Sequence, residues 1–367
     1  MDNGLDIEGL RALVACHAAL GAAPLGYGGL RTARHIPRQS TALLATLRQA
    51  TRAQHIEPNW LAADRTLAWA AGAASRHLVV YGATDYPAQL YEIAAPPTLL
   101  FVDGMPATLL QPQLAIVGSR KATLAARRFA AEIATAVSLA GVAITSGMAL
   151  GIDAAAHAAA RTAGGSTIAV FGCGIDRIYP ASHRALADDI RRGGALVSEF
   201  PLGEAPRRSN FPRRNRLIAG LSLGTLVVEA ALRSGSLSTA LHALEQGKEV
   251  FAVPGNVQNP LSRGCHALIR QGAKLTETLA DITDEIPLLC AARPVVAAGA
   301  GAPDEVGPAL DPESRRLLEA WGWDTLSIDQ LAARVGLTVQ SVSSILLGLE
   351  LAGVVEPRAS GTYARVR

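Results

Sequence analysis

Apolar residues along this chain follow two alternating patterns. Short continuous runs read as buried strands: Leu114–Val117, Val142–Thr145, Thr167–Phe171, Leu196–Ser198, Leu226–Val228 and Val250–Val253. Between them, apolar positions recur three and four apart, which predicts helices over Thr123–Ala140, Asp153–Ala163, Ser182–Arg191, Arg213–Leu221 and Leu237–Gln246. Continuous strand runs alternating with helices predict an α/β fold, a doubly wound parallel sheet covered on both faces. Two further strands, Leu78–Tyr81 and Thr98–Val102, lead into it.

The flanks carry other patterns. Residues 1–76 are Ala-rich and helical in period, with helices expected over Leu10–Leu20, Thr41–Gln49 and Leu61–Ala71. They read as a small helical N-terminal domain, SAM-like or a divergent helix-hairpin-helix. Gly26-Tyr27-Gly28-Gly29 could be a hairpin over a phosphate or a plain interhelical turn, and the plain turn is favoured. Residues 77–290 form the core domain, and the Ala/Gly/Pro-rich stretch 291–310 reads as a linker. In 311–367, Ser327 can cap Ile328–Val335, Gly336 turns the chain and Thr338 can cap Val339–Leu351. Val354–Glu356 and Thr362–Ala364 can pair as a wing, which completes a winged-helix-like pattern.

Charge divides the chain. Residues 1–113 balance at 8 Lys+Arg against 8 Asp+Glu; 114–275 hold 19 against 10, a net +9; 276–367 hold 7 against 13, a net −6. The middle segment is therefore where a polyanion would bind. The second winged-helix helix has no Lys or Arg, so protein docking or autoregulation is favoured there over reading duplex DNA. Cys16, Cys173, Cys265 and Cys290 form no CxxC pair and are expected to be reduced core thiols. No apolar run reaches the length of a membrane span, and the expected location is cytoplasmic. No turn carries a GxGxxG or P-loop pattern, so no cofactor or metal is expected.

The candidate chemistry lies where the strands end. In doubly wound sheets, ligands bind outside the carboxyl ends of the strands. Gly118-Ser119-Arg120-Lys121 ends the first core strand and opens a helix, an arrangement that can hold an anion or can be simple punctuation. Gly147, Gly172 and Gly174, the Arg233-Ser234-Gly235-Ser236 turn and Gly255 end the neighbouring strands. Arg207, Arg208, Arg213, Arg214 and Arg216 surround Phe211, with Asn215 among them. A charge run is usually a solvated face, but cations beside an aromatic ring suit single-stranded nucleic acid.

Several long stretches together resemble the DNA-processing protein DprA/Smf family. They are Ala115–Arg120, Ser146–His157, Asp176–Pro180, Ser198–Pro201, Asn210–Leu221, Glu229-Ala230 with Arg233–Ser236, and Phe251–Gly255. The resemblance implies an extended Rossmann-like core that binds single-stranded DNA, forms a homodimer and helps to load the RecA recombinase in natural transformation. It places strand contacts at Gly118, Ser119 and Arg120, and in the loop with Tyr179, His183 and Arg184. The rival reading is a nucleotide-processing hydrolase with Asp153, His157, Glu199 and Glu229 as an acid/base set. Structural roles for these four residues are favoured, and no catalytic residue is assigned.

Overall fold

The computed structural model describes residues 5–20, 40–289, 311–322, 324–358 and 361–365. The Gly26–Gly29 turn, Cys290 and the linker at 291–310 lie outside the described residues. The chain divides into two compact units, 1–297 and 298–367.

The first unit opens with three helices, α1 (Ile7–Leu20), α2 (Ser40–Ala53) and α3 (Trp60–Ala71). They are followed by β1 (Arg76–Val80), β2 (Leu99–Gly104), β3 (Gln113–Gly118), α4 (Leu124–Leu139), β4 (Ala143–Ser146), α5 (Ile152–Thr162) and β5 (Thr167–Val170). Next come α6 (Arg184–Gly193), β6 (Ala195–Ser198), α7 (Asn210–Leu221), β7 (Gly224–Val228), α8 (Gly235–Glu245) and β8 (Glu249–Ala252). The unit closes with α9 (Arg263–Arg270), β9 (Lys274–Leu275) and α10 (Ala280–Thr283). The sheet order is β1-β2-β6-β5-β4-β3-β7-β8-β9.

The seven strands from β3 to β9 run parallel, whereas β2 pairs antiparallel with β6 and β1 antiparallel with β2. The sheet is thus mixed rather than wholly parallel. Nothing in the β1 and β2 apolar runs encodes strand direction. β9 is two exposed residues long, so it leaves no hydrophobic run to find.

Burial explains the strand composition. Alternate residues of β3 enter opposite cores: Leu114 and Ile116 pack with α4 and α5, Ala115 and Val117 with the face that holds Leu217 and Ala240. With both faces covered, polar positions drop out of the strands. Helix α7 is enclosed almost throughout, and its C-terminal carbonyls at Ala219 and Gly220 accept from Lys248 Nζ at 2.8 and 2.7 Å. Burial lowers that ammonium's pKa to about 8.

The N-terminal helices share the core of this unit. Leu13, Leu43 and Ala63 cluster with Leu78, Leu99 and Phe101, and Trp69 meets Phe101 edge-on at 6.0 Å. His17 on α1 joins the sheet edge through Thr98 Oγ1 at 2.7 Å and Glu199 O at 3.2 Å. A carbonyl only accepts, so Nε2–H donates to Glu199 and Nδ1 accepts from the threonine.

The second unit holds α11 (Pro312–Trp321), β10 (Leu326–Ser327), α12 (Ile328–Val335), α13 (Val339–Leu351), β11 (Val355–Arg358) and β12 (Thr362–Arg365), with sheet order β10-β12-β11. Ser327 caps α12 in a reciprocal box with Gln330, Gly336 ends it in the left-handed region, and Thr338 caps α13. Leu317, Trp321, Leu331, Val342, Leu346 and Val355 make the core of this winged-helix domain. The strand β10 adds a third member to the expected wing. Among the described residues, no single helix is long and apolar enough to cross a membrane.

Candidate functional site

The strand order reverses between β3 and β7, where Gly118 pairs with Val228. The Gly118-Ser119-Arg120 turn therefore sits at the topological switch point. A Cβ on Gly118 would lie 1.9 Å from Val228 O and 2.6 Å from Ile152 Cγ1, so only glycine permits this approach.

The turn does not present its helix terminus to an external anion in the expected way. Glu229, at φ +50°, sends its carboxylate to Thr123 N at 2.8 Å and Thr123 Oγ1 at 3.0 Å, and accepts from Asn259 Nδ2 at 3.1 Å. An internal carboxylate thus occupies the start of α4. Ser119 is buried, donates its N–H to Glu229 O at 2.7 Å and accepts from Lys121 N at 3.1 Å through Oγ. Its hydroxyl helps to close the turn. Arg120 and Lys121 remain exposed beyond it.

The expected arginine cluster separates into buried and outer members. Arg214 is 5% exposed; its Nη1 donates to Gly147 O at 2.9 Å and to Val170 O, and its Nε to Asn215 Oδ1 at 3.2 Å. A Cβ on Gly147 would stand 2.6 Å from an Arg214 terminal nitrogen. Asp153 accepts from Gly147 N and Ala149 N at 3.1 and 3.2 Å, so it holds the β4 loop rather than capping α5. Burial lowers the Arg214 pKa to about 10 and raises that of Asp153, so desolvation outweighs their mutual attraction on both sides.

Arg216 is 3% exposed and grips Glu199, itself fully buried, with both terminal nitrogens, Nη1 to Oε1 at 2.9 Å. Asn215 donates to Gly235 O at 3.1 Å. Arg216 and Asn215 are enclosed by these bonds and cannot reach a strand on the surface, which corrects the expectation that they face it with Arg213, whereas Arg214 borders the open cleft from within. They position the loops instead. Arg213 is half-buried over the Phe200 ring at 5.9 Å. Arg207 pairs with Glu204 at 3.3 Å, and Arg208 is exposed.

What stays open is a small cleft of about 60 Å³ lined by Arg120, Gly147, Met148, Tyr179, Phe211 and Arg214, among others. Tyr179 is 45% exposed, and its ring lies 5.7 Å from that of the half-buried Phe211. The guanidinium carbons of Arg120 and Arg214 lie 5.6 and 5.9 Å from the Phe211 centroid, one from the solvent side and one from within. Met148, at φ +62°, and the Ala149-Leu150 segment complete the wall; sequence patterning alone had singled out only Gly147 in this loop. His183 is buried, its Nδ1 at 3.0 Å from Met148 O, so it supports the wall, while Arg184 is exposed.

The last predicted group sits apart from the cleft lining. Ser234 caps α8 through Ser236 N at 3.3 Å and meets Ser236 Oγ at 2.5 Å, and Arg233 and Gly235 are exposed. The suspected acid/base set is distributed among structural bonds. His157 Nδ1 lies 2.6 Å from Thr167 Oγ1, and burial lowers its pKa to about 3. Glu229 serves Thr123 and Asn259 rather than an arginine. Burial also raises the Cys173 and Cys265 thiols to about 11, which keeps them protonated.

Comparison with known proteins agrees with this architecture. The family model for DNA recombination-mediator protein A matches residues 77–287, and that for the DprA winged helix domain matches 301–361. Protein Smf of Escherichia coli is 43% identical over 332 residues, covering 90% of this chain and 86% of the relative. DNA processing protein DprA of Streptococcus pneumoniae is 44% identical over 200 residues, covering 54% of this chain and 71% of the relative. The X-ray structure of the S. pneumoniae protein superposes with a TM-score of 0.57 at 37% identity, covering 68% of this chain and 83% of that one. A structure of DNA processing protein A from Helicobacter pylori, described for its single-stranded DNA binding mode, gives 0.51 at 29% identity, covering 54% and 91%. With its mixed nine-stranded sheet and C-terminal winged helix, the chain belongs to the DprA/Smf family of DNA-processing proteins.

Proposed function

We propose that this protein binds single-stranded DNA across the carboxyl ends of its parallel strands and acts as a recombination mediator. One observation carries the reading: an exposed Tyr179 ring beside Phe211, overlain by the solvent-facing Arg120. Unstacked bases find an aromatic platform there, and their phosphates find Arg120 and Lys121. Arg184, Arg208, Arg213 and Arg233 supply outer cations. A duplex keeps its bases stacked inside and could use only the cations. The H. pylori relative's single-stranded DNA binding supports the same reading.

The cleft floor supports binding without base preference. Gly147 O is engaged by Arg214, Met148 O by His183, and the Gly147 and Ala149 N–H groups by Asp153. These groups are already paired and do not read base edges. In the cell we assign the protein to the cytoplasm, as a homodimer that passes the strand to RecA during natural transformation, without catalysis of its own. RecA-dependent strand pairing with and without the protein tests the mediator role.

The deciding measurement is fluorescence anisotropy with single- and double-stranded oligonucleotides over a salt series. Single strands should bind tighter, with log K falling by about 0.7 per contacted phosphate per decade of salt. Tyr179→Ala should weaken binding by about 1–3 kcal/mol. Equal or tighter binding of duplex would overturn the assignment. Release of free base from nucleoside monophosphates would favour the hydrolase instead.

A further inference from the structure

The N-terminal helices meet the core domain close to the cleft, at Gly203. Arg177 donates its Nε to Gly203 O at 3.1 Å, and a Cβ on Gly203 would find one neighbour within 4 Å, Arg65 Nη2 of α3 at 4.0 Å. Two exposed guanidinium groups thus converge on one loop residue from two layers of the fold. Arg177 lies two residues before Tyr179, so its backbone is within about 7 Å of the aromatic platform.

The neighbouring acidic groups are engaged elsewhere. Asp64 accepts from Arg11 at 2.6 and 3.1 Å, and Glu204 pairs with Arg207 at 3.3 Å. Asp176 turns both oxygens onto Gly203 N at 2.9 and 3.1 Å. Among the described residues, neither Arg65 nor Arg177 has a carboxylate within ion-pair distance. With Asp176 counted, the group is still net positive.

We infer that Arg65 and Arg177 form a second phosphate contact, which carries a bound single strand from the Tyr179–Phe211 cleft onto α3. This rests on the single-strand reading above and extends it: the N-terminal helices become part of the DNA path and lengthen the binding site. The strand's backbone, not its bases, is what this contact holds, because the cationic side chains that meet at Gly203 among the described residues are two guanidiniums.

Length dependence tests it. Binding of oligo(dT) of about 6 and about 20 nucleotides is measured for the full chain and for Arg65→Ala, Arg65→Glu, Arg65→Lys and Arg120→Ala. Arg65→Ala should weaken the longer ligand several-fold, lower its salt slope by about 0.7 and leave the shorter ligand unchanged. Arg65→Glu should weaken the longer ligand further, and Arg65→Lys should restore it. Arg120→Ala should weaken both lengths. Unchanged affinity for the longer ligand in Arg65→Glu, or equal loss at both lengths, overturns the contact. Failure of the unaltered chain to bind either length overturns the single-strand reading itself, so the two failures are distinguishable.

Discussion

The guanidinium of Arg214 lies where a side chain on Gly147 would be: a Cβ there would stand 2.6 Å from a terminal nitrogen, and Nη1 donates to Gly147 O at 2.9 Å. Glycine and arginine thus form one fitted pair below the cleft. Gly147→Ala should displace the guanidinium from the Gly147 and Val170 carbonyls and leave these buried groups unpaired. The expected cost is about 1–3 kcal/mol in stability, with weakened DNA binding. Thermal melting and anisotropy on the same sample check it, and an unaltered melt would count against the fit.

Arg216 and Arg120 should separate cleanly by assay. Removing Arg216 strands the fully buried Glu199 carboxylate, and Arg216→Ala should destabilise the protein by about 3–5 kcal/mol. Arg120→Ala should leave the melting temperature in place and lower single-strand affinity, with the salt slope reduced by about 0.7. Denaturant midpoints beside binding isotherms provide the comparison. Matching behaviour of the two variants would contradict the division between inner and outer arginines.

Acid should weaken the fold through two imidazoles. Burial holds His17 at about 4 and His157 at about 3, below the usual 6.5. A lowered histidine pKa means that the unfolded chain binds protons first. Stability is therefore complete above about pH 6.5 and falls by about 1.4 kcal/mol per pH unit per imidazole on acidification toward about pH 4. Urea midpoints between about pH 7 and 5 should show this slope. His157→Gln should make the slope shallower even if its overall stability is lower.

Removal of residues 298–367, the second compact unit, should leave single-strand binding close to that of the full chain. The cations and the aromatic pair of the candidate site lie in the first unit, and α13 has no Lys or Arg. Anisotropy with a chain ending at Ala297 checks this. Loss of binding with circular dichroism intact would move the DNA site to the winged helix.

Local signals made much of the fold legible. Ser327 and Thr338 were readable as caps because capping is decided within three residues, and the buried parallel strands because apolar runs betray burial on both faces. The Gly118-Ser119-Arg120 turn was readable as part of the rim from the strand and helix on either side of it, whereas the loop around Tyr179 came from the family resemblance. The fate of each arginine was not. Arg213, Arg214 and Arg216 are nearly adjacent in sequence, yet their partners are Phe200, Gly147 and Glu199, set by packing between distant elements. Strand direction at β1 and β2, and the meeting of Arg65 with Gly203, likewise depend on tertiary contacts that no spacing records.

The carboxylate of Glu229 at the head of α4 has a consequence for how a polyanion is held. Rossmann-type sites commonly seat phosphate in fixed backbone amides, a rigid socket that must be emptied before the ligand leaves. Here the protein's own Glu229 carboxylate sits on the Thr123 N–H and hydroxyl at the head of the helix, and on the single-strand reading an incoming strand would meet long side chains on the outside of the turn. Such contacts form and break one at a time, without any change in the fold beneath them. A strand lying on this rim can be peeled away from one end by a competitor while its other end stays attached, which suits a surface built for transfer rather than storage.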